Sequence, residues 1–177
     1  MSATQPVLKD PALSAVLAWL IPGLGHFYQG RIAKGVLFSV CLLSTFGYGM
    51  YLGDGGVVYL RWDQTEQRWA YLCQVGIGLP ALPALVQSWR SARGWQPILG
   101  GFEAPPSDAE LNRLNGRLGR FFDLGTVYTM IAGLLNVLAV YDAYAGPAIV
   151  REEREGSGGE EPDVETASEM AGAKQGA

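Results

Sequence analysis

The sequence predicts an all-α fold: an integral membrane bundle of about four transmembrane helices, with an amphipathic surface helix and a disordered acidic tail. Three observations carry this. The first is the placement of charge. The 177 residues include 13 Lys or Arg and 17 Asp or Glu, yet none falls in residues 11–30, 35–53, 69–89 or 124–141. The second is window length. A helix needs roughly 20 apolar residues to cross a hydrocarbon core about 30 Å thick, and these windows hold 18 to 21 residues each. Backbone amides in lipid must be satisfied within the segment, so each window is expected to be helical. Core helices of a soluble domain would carry polar faces, and these windows have no charged face. The third is the C-terminal composition. Residues 151–177 hold eight acidic and three basic side chains and no aromatic, too little apolar surface to order a chain.

Taken in order, residues 1–10 form a polar leader. The first window, from Pro11, lacks an Ala-x-Ala-like cleavage site and is expected to be retained. A short turn at 30–34 joins it to the second window as an antiparallel hairpin that ends near Leu52. Asp54-Gly55-Gly56 is a turn signal. Residues 53–69 read as an outward loop, in which Val57–Leu60 has strand propensity and Trp62 and Trp69 suit a membrane interface. Residues 70–145 read as a second helix pair. Pro80 and Pro83 are expected to kink its first member. Ser107-Asp108-Ala109-Glu110 has the capping-box pattern, with Glu110 expected to reach back to the cap. The helix it opens, about 107–122, sets Leu111, Leu114, Leu118 and Phe121 against Arg113, Arg117 and Arg120, which are expected to meet lipid headgroups. In the last window Gly125, Thr129 and Gly133 recur every fourth residue, with Asn136 beyond them. Such a stripe of small residues predicts close helix packing, within the chain or against a second copy. Residues 146–177 are the tail.

The densest motif is Pro22-Gly23-Leu24-Gly25-His26-Phe27-Tyr28-Gln29-Gly30-Arg31, followed by Lys34-Gly35. Pro22 interrupts the helical ladder, the glycines permit close backbone approach and a left-handed stop, and the cations face headgroups. Every residue fits a tight membrane hairpin. The motif resembles that of the TM-two family, a two-transmembrane-helix hairpin domain, whose common bacterial form reads P-G-x-G-H-x-Y-x-G followed by a basic residue and Lys-Gly. Pro22, Gly23, Gly25, His26, Tyr28, Gly30, Arg31, Lys34 and Gly35 fit it, and the resemblance covers residues 9–52. The family's frequent acidic-Arg-Phe triplet is replaced by Gly30-Arg31-Ile32. The resemblance implies a hairpin fold with a cytoplasmic turn and no enzymatic activity.

Candidate chemistry is sparse. Gly23-x-Gly25 lacks the third glycine of a dinucleotide loop, since Tyr28 stands there. His26 is the single histidine and has no metal-ligand spacing around it. It is open to interfacial packing, to contact with Asp123 or a headgroup, or to a proton relay, while Asp142 is expected at the opposite surface, out of its reach. Cys41 and Cys73 are expected at different depths, as free thiols. No catalytic residue, cofactor or metal is expected. The expected role is a non-enzymatic interaction or accessory subunit, with an oligomeric channel or transporter subunit for a small solute or ion as the alternative. The partners are the lipid bilayer and another membrane protein or the chain itself, with no nucleic acid. With four spans, counting cations near span ends puts the 30–34 turn and the 90–122 arm in the cytoplasm. Both termini and the Trp62/Trp69 loop then face outward from a bacterial cytoplasmic membrane.

Overall fold

The computed structural model describes residues 10–61 and 68–146, and these are helical with no strand. α1, Pro11–Leu20, opens with the Asp10 carboxylate accepting from the amides of Ala12 and Leu13 and with Pro11 in its first turn, where no donor is needed. It stops at Ile21, whose backbone is extended (φ −132°), as the residue before a proline tends to be. Gly23 then adopts φ 86°, and α2, Leu24–Tyr28, runs back along α1. A turn through Gly30 (φ 78°) leads into α3, Ile32–Leu52.

The third window behaves in the same way. α4, Ala70–Gln74, passes through a 3₁₀ turn, Val75–Ile77, and the chain reverses at Gly78 (φ 82°, ψ −132°). A second 3₁₀ turn, Leu79–Ala81, and α5, Leu82–Ser91, return it. Pro80 and Pro83 sit in the first turns of these returning elements, where their missing amides cost nothing. α6, Asp108–Leu118, and α7, Arg120–Ala145, are separated by Gly119 (φ 51°, ψ −123°).

Contacts fix the topology. α3 and α7 pack antiparallel: Gly49 lies against Gly125, and Arg31 and Lys34 reach Asp142. Ser14 at the start of α1 donates to the Ala143 carbonyl (3.3 Å), whereas Ala18 lies beside Asn136. α1 therefore enters from the Asp142 end, which we call the motif end, and stops near the middle of α7. The other hairpin enters from the opposite, arm end, where Arg68 meets Thr126 (3.2 Å), and it reaches Asn136 through the Gly76 carbonyl (2.9 Å). It then turns back, so that the Tyr71 hydroxyl donates to the Ala81 carbonyl (2.7 Å). The two tips meet at Gly78, where an added Cβ would lie 2.9 Å from the Leu20 carbonyl oxygen and closer still to that of Trp19.

This corrects the expected bundle. Windows 11–30 and 69–89 are not continuous helices, and only α3 and α7 are long and apolar enough to cross a membrane among the described residues. Freedom from charge decides what lipid tolerates; continuity of the helix decides whether the chain crosses. Ile21–Gly23 and Gly78 end the helices outright instead of kinking them. The side assignment changes with it. Residues 10–14 share an end with the 29–34 turn, and the 53–61 segment shares an end with the 90–118 arm. Residues 63–66, Trp62 and the acidic tail lie outside the described residues.

Candidate functional site

The polar residues of the motif converge on the last turn of α7. His26 is fully buried, and its Nε2 lies 2.9 Å from Asp142 Oδ2. The Arg31 guanidinium contacts the same oxygen at 2.9 Å and the Asp142 carbonyl at 3.3 Å, and Lys34 Nζ lies 3.3 Å from both carboxylate oxygens. The Gln29 amide donates to the Ala143 carbonyl. Cations at a helix C-terminus also oppose its dipole. The expectation that His26 and Asp142 lie on opposite surfaces is thus overturned, because α2 carries His26 back to the end where α7 finishes. His26 Nδ1 is buried without a hydrogen-bond partner. Asp123 is exposed near the far end of α7.

The small residues of the motif make this convergence possible. The buried Pro22 offers its carbonyl to Ser39 (2.7 Å). Gly23 lies against the Gly35 carbonyl and the Ser39 side chain, and Gly25 against Ser14 and Ala18. Gly35 lies under Phe27, whose ring would be 2.8 Å from an added Cβ. Tyr28 ends α2, half-buried, and Gly30 forms the exposed turn.

From this cluster a polar seam follows one face of α7. Asn136 donates its amide to the carbonyls of Gly76 (2.9 Å) and Ala18 (3.4 Å), joining the two hairpin tips. Thr129 accepts from the Gln74 amide (2.8 Å), and Thr126 accepts from Arg68. From Thr126 to Asp142 the seam rises about 24 Å at 1.5 Å per residue. Gly125 and Gly133 stand on the same face, against Gly49 and the Cys73 carbonyl. Gln74 Oε1 and Asn136 Oδ1 are buried along it without partners. The stripe expected to pack therefore meets α3 and the second hairpin of its own chain. Cys41 is exposed and Cys73 half-buried, both as free thiols.

At the arm end, Arg113 pairs with Glu110 (2.6 Å) and Arg117 with Asp54, while Arg120 is exposed. Glu110 therefore does not reach back to Ser107, although its amide is capped by the Ser107 hydroxyl (3.3 Å). A cavity of about 520 Å³ lies here, lined by Asp54, Leu99, Phe102, Glu103, Arg113 and Leu114 among others. Neither the burial of Glu103 nor the role of Asp142 was expected from the sequence. A signal for Glu103 was present, since it is the single charged residue between Arg93 and Asp108. No cluster of three or more His, Cys, Asp or Glu that could hold a metal occurs among the described residues.

The geometry defines a class: an all-helical chain in which two membrane-length helices flank two shorter hairpins that enter from opposite ends. Residues 13–156 match a family of unknown function, DUF6677, and the chain belongs to that family. No curated protein and no solved structure matches the chain.

Proposed function

We propose that this is an integral membrane protein, in the cytoplasmic membrane of a bacterium, that serves as a non-enzymatic interaction or accessory subunit. One observation carries the membrane reading. Only 28% of the apolar window of α3 and 33% of that of α7 is buried within the chain. A core helix of a soluble protein is mostly covered, whereas here Leu37, Val40, Leu134 and Leu138 point outward, each more than half exposed. Lipid or a partner helix is the medium that such a surface needs. The accessory role is supported by how the polar groups are used. His26, Arg31, Lys34, Asn136 and Gln74 are spent on holding the hairpins to α7. The TM-two resemblance of residues 9–52, which implies a membrane hairpin and no enzymatic activity, supports the same reading.

Alkaline carbonate should leave the protein in the membrane pellet, and mild-detergent purification from native membranes should recover it with a stoichiometric partner or as an oligomer. Recovery as a lone monomer would sink the accessory role. A second reading, an oligomeric path for a small solute or ion, is favoured by the 24 Å seam with its vacant acceptors on Gln74 and Asn136. Reconstituted liposomes with no flux above lipid background would remove it.

A further inference from the structure

The segment that follows α5 carries its large apolar side chains outward. Residues 91–100 are all exposed, and Trp89, Trp95, Ile98, Leu99 and Phe102 are each between 39% and 67% exposed. This course is held in place. Gln87, buried in α5, donates to the carbonyls of Ile98 and Phe102 (3.1 Å to the second) and accepts from the Ile98 amide (3.2 Å). Arg90 donates through Nε and Nη2 to the Gln96 carbonyl (3.0 and 2.8 Å). Leu99 stands at φ 53°, in the left-handed region that disfavours a residue with a Cβ, and buries little in return. Strain kept where it hides no apolar surface points to a contact outside the chain.

The cations of this segment are interleaved with its indoles. Arg93 Cζ lies 3.8 Å over the Trp89 ring, Arg90 Cζ lies 5.5 Å over the Trp95 ring, and the two indoles meet edge to face at 5.4 Å. Neither arginine pairs with a carboxylate among the described residues. Arg113 and Arg117, expected at headgroups, are instead paired with Glu110 and Asp54. We propose that residues 89–102 seat in the headgroup layer of the bilayer and gather anionic phospholipid there. Arg90 and Arg93 meet its phosphates, and Trp95, Ile98, Leu99 and Phe102 meet the adjoining acyl chains. The proposal rests on the membrane reading, and on that reading the depth agrees. Gly76 packs on Gly133, midway along α7, and the chain reverses at Gly78. The ten residues of α5 then climb about 15 Å toward the arm end, half of a hydrocarbon core about 30 Å thick. That is the level at which indoles and arginines meet headgroups.

The test uses the full chain in nanodiscs of phosphatidylcholine and phosphatidylglycerol, in a background lacking Cys41 and Cys73. A bimane probe is attached at Leu99→Cys or, as a reference on the exposed side of α7, at Val127→Cys. One lipid or the other is brominated along its acyl chains, at equal mole fraction, and the quenching is compared. Both probes should be quenched. The ratio of quenching by phosphatidylglycerol to quenching by phosphatidylcholine should be severalfold higher at 99 than at 127, since each cation near the headgroups favours anionic lipid by a factor of about five. Arg90→Gln together with Arg93→Gln should bring the two ratios together. A probe at 99 that escapes quenching while the probe at 127 is quenched overturns the proposal and leaves the membrane reading standing. Escape at both sites removes the membrane reading and this proposal with it. Equal ratios at the two sites with both arginines present overturn the proposal, and that comparison decides it even where the double variant does not fold.

Discussion

Asp142 is the residue on which the motif end depends, because three side chains from the other end of the sequence share its carboxylate. They do not share it equally. His26 is fully buried, so losing Asp142 strands a buried ring nitrogen, which costs about 1–3 kcal/mol. Arg31 is 18% exposed and also holds the Asp142 carbonyl. Lys34 is 46% exposed, and solvent screens its contribution to about 0–1 kcal/mol. Asp142→Ala should therefore lower the melting temperature in mild detergent by roughly 4–10 °C, Arg31→Ala by less and Lys34→Ala hardly at all. A Lys34→Ala loss as large as that of Asp142→Ala would show that exposed charge, and not the buried imidazole, carries the latch. None of this ranking is legible in the sequence. His26 stands out there as the lone histidine of a dense motif, but its partner lies 116 positions away. Choosing Asp142 over Asp123 requires knowing that the first helix turns back.

At the scale of elements, the sequence announces helices better than it announces their extent. The charge-free windows mark where helices form, Ser107 marks the start of α6, and the Gly125–Thr129–Gly133 spacing marks the face of α7 that packs. The two reversals were visible as Pro22-Gly23 and as Gly78 near Pro80. In a charge-free background the same residues are compatible with a kinked span, and only packing separates the two outcomes. Gly78 shows what packing demands. Its φ of 82° with ψ −132° is open to glycine alone, and a Cβ there would fall on the Trp19 carbonyl. Gly78→Ala should therefore uncouple the two hairpins and leave a polydisperse, early-melting protein by size exclusion and thermal scan. Gly47→Ala is the matching control. Its site in α3 has nothing within 4 Å, and removing a helical glycine adds up to about 1 kcal/mol. Equal tolerance of the two substitutions would mean that the tips do not meet.

For the whole molecule, the observed ends revise the orientation argument. Arg61, Arg68, Arg90, Arg93, Arg113, Arg117 and Arg120 belong to the arm end, against Arg31 and Lys34 at the motif end together with Lys9, Arg151 and Arg154, which adjoin the outer ends of α1 and α7 in the sequence, a margin of seven to five. The bias of cations toward the cytoplasm predicts that the arm faces inward and that the 29–34 turn faces outward with the ends of α1 and α7. The TM-two resemblance implies the opposite, a cytoplasmic turn, so one labelling experiment separates the two expectations. In a background lacking Cys41 and Cys73, an impermeant thiol reagent on intact spheroplasts should label a cysteine placed at Ser157 and spare one at Ser107. Labelling at Ser107 alone would invert the orientation. Labelling at both would mean that α3 and α7 do not both cross.

The joining of Ser14 to Ala143 also sets a timetable. These residues are 129 positions apart, and the chain grows at about 5–20 residues per second, so the N-terminal hairpin waits on the order of ten seconds for the helix that completes it. Throughout that interval the buried groups of Ser14 and His26 lack their α7 partners, at the moment when the nascent chain is most open to proteolysis and to capture by insertion factors.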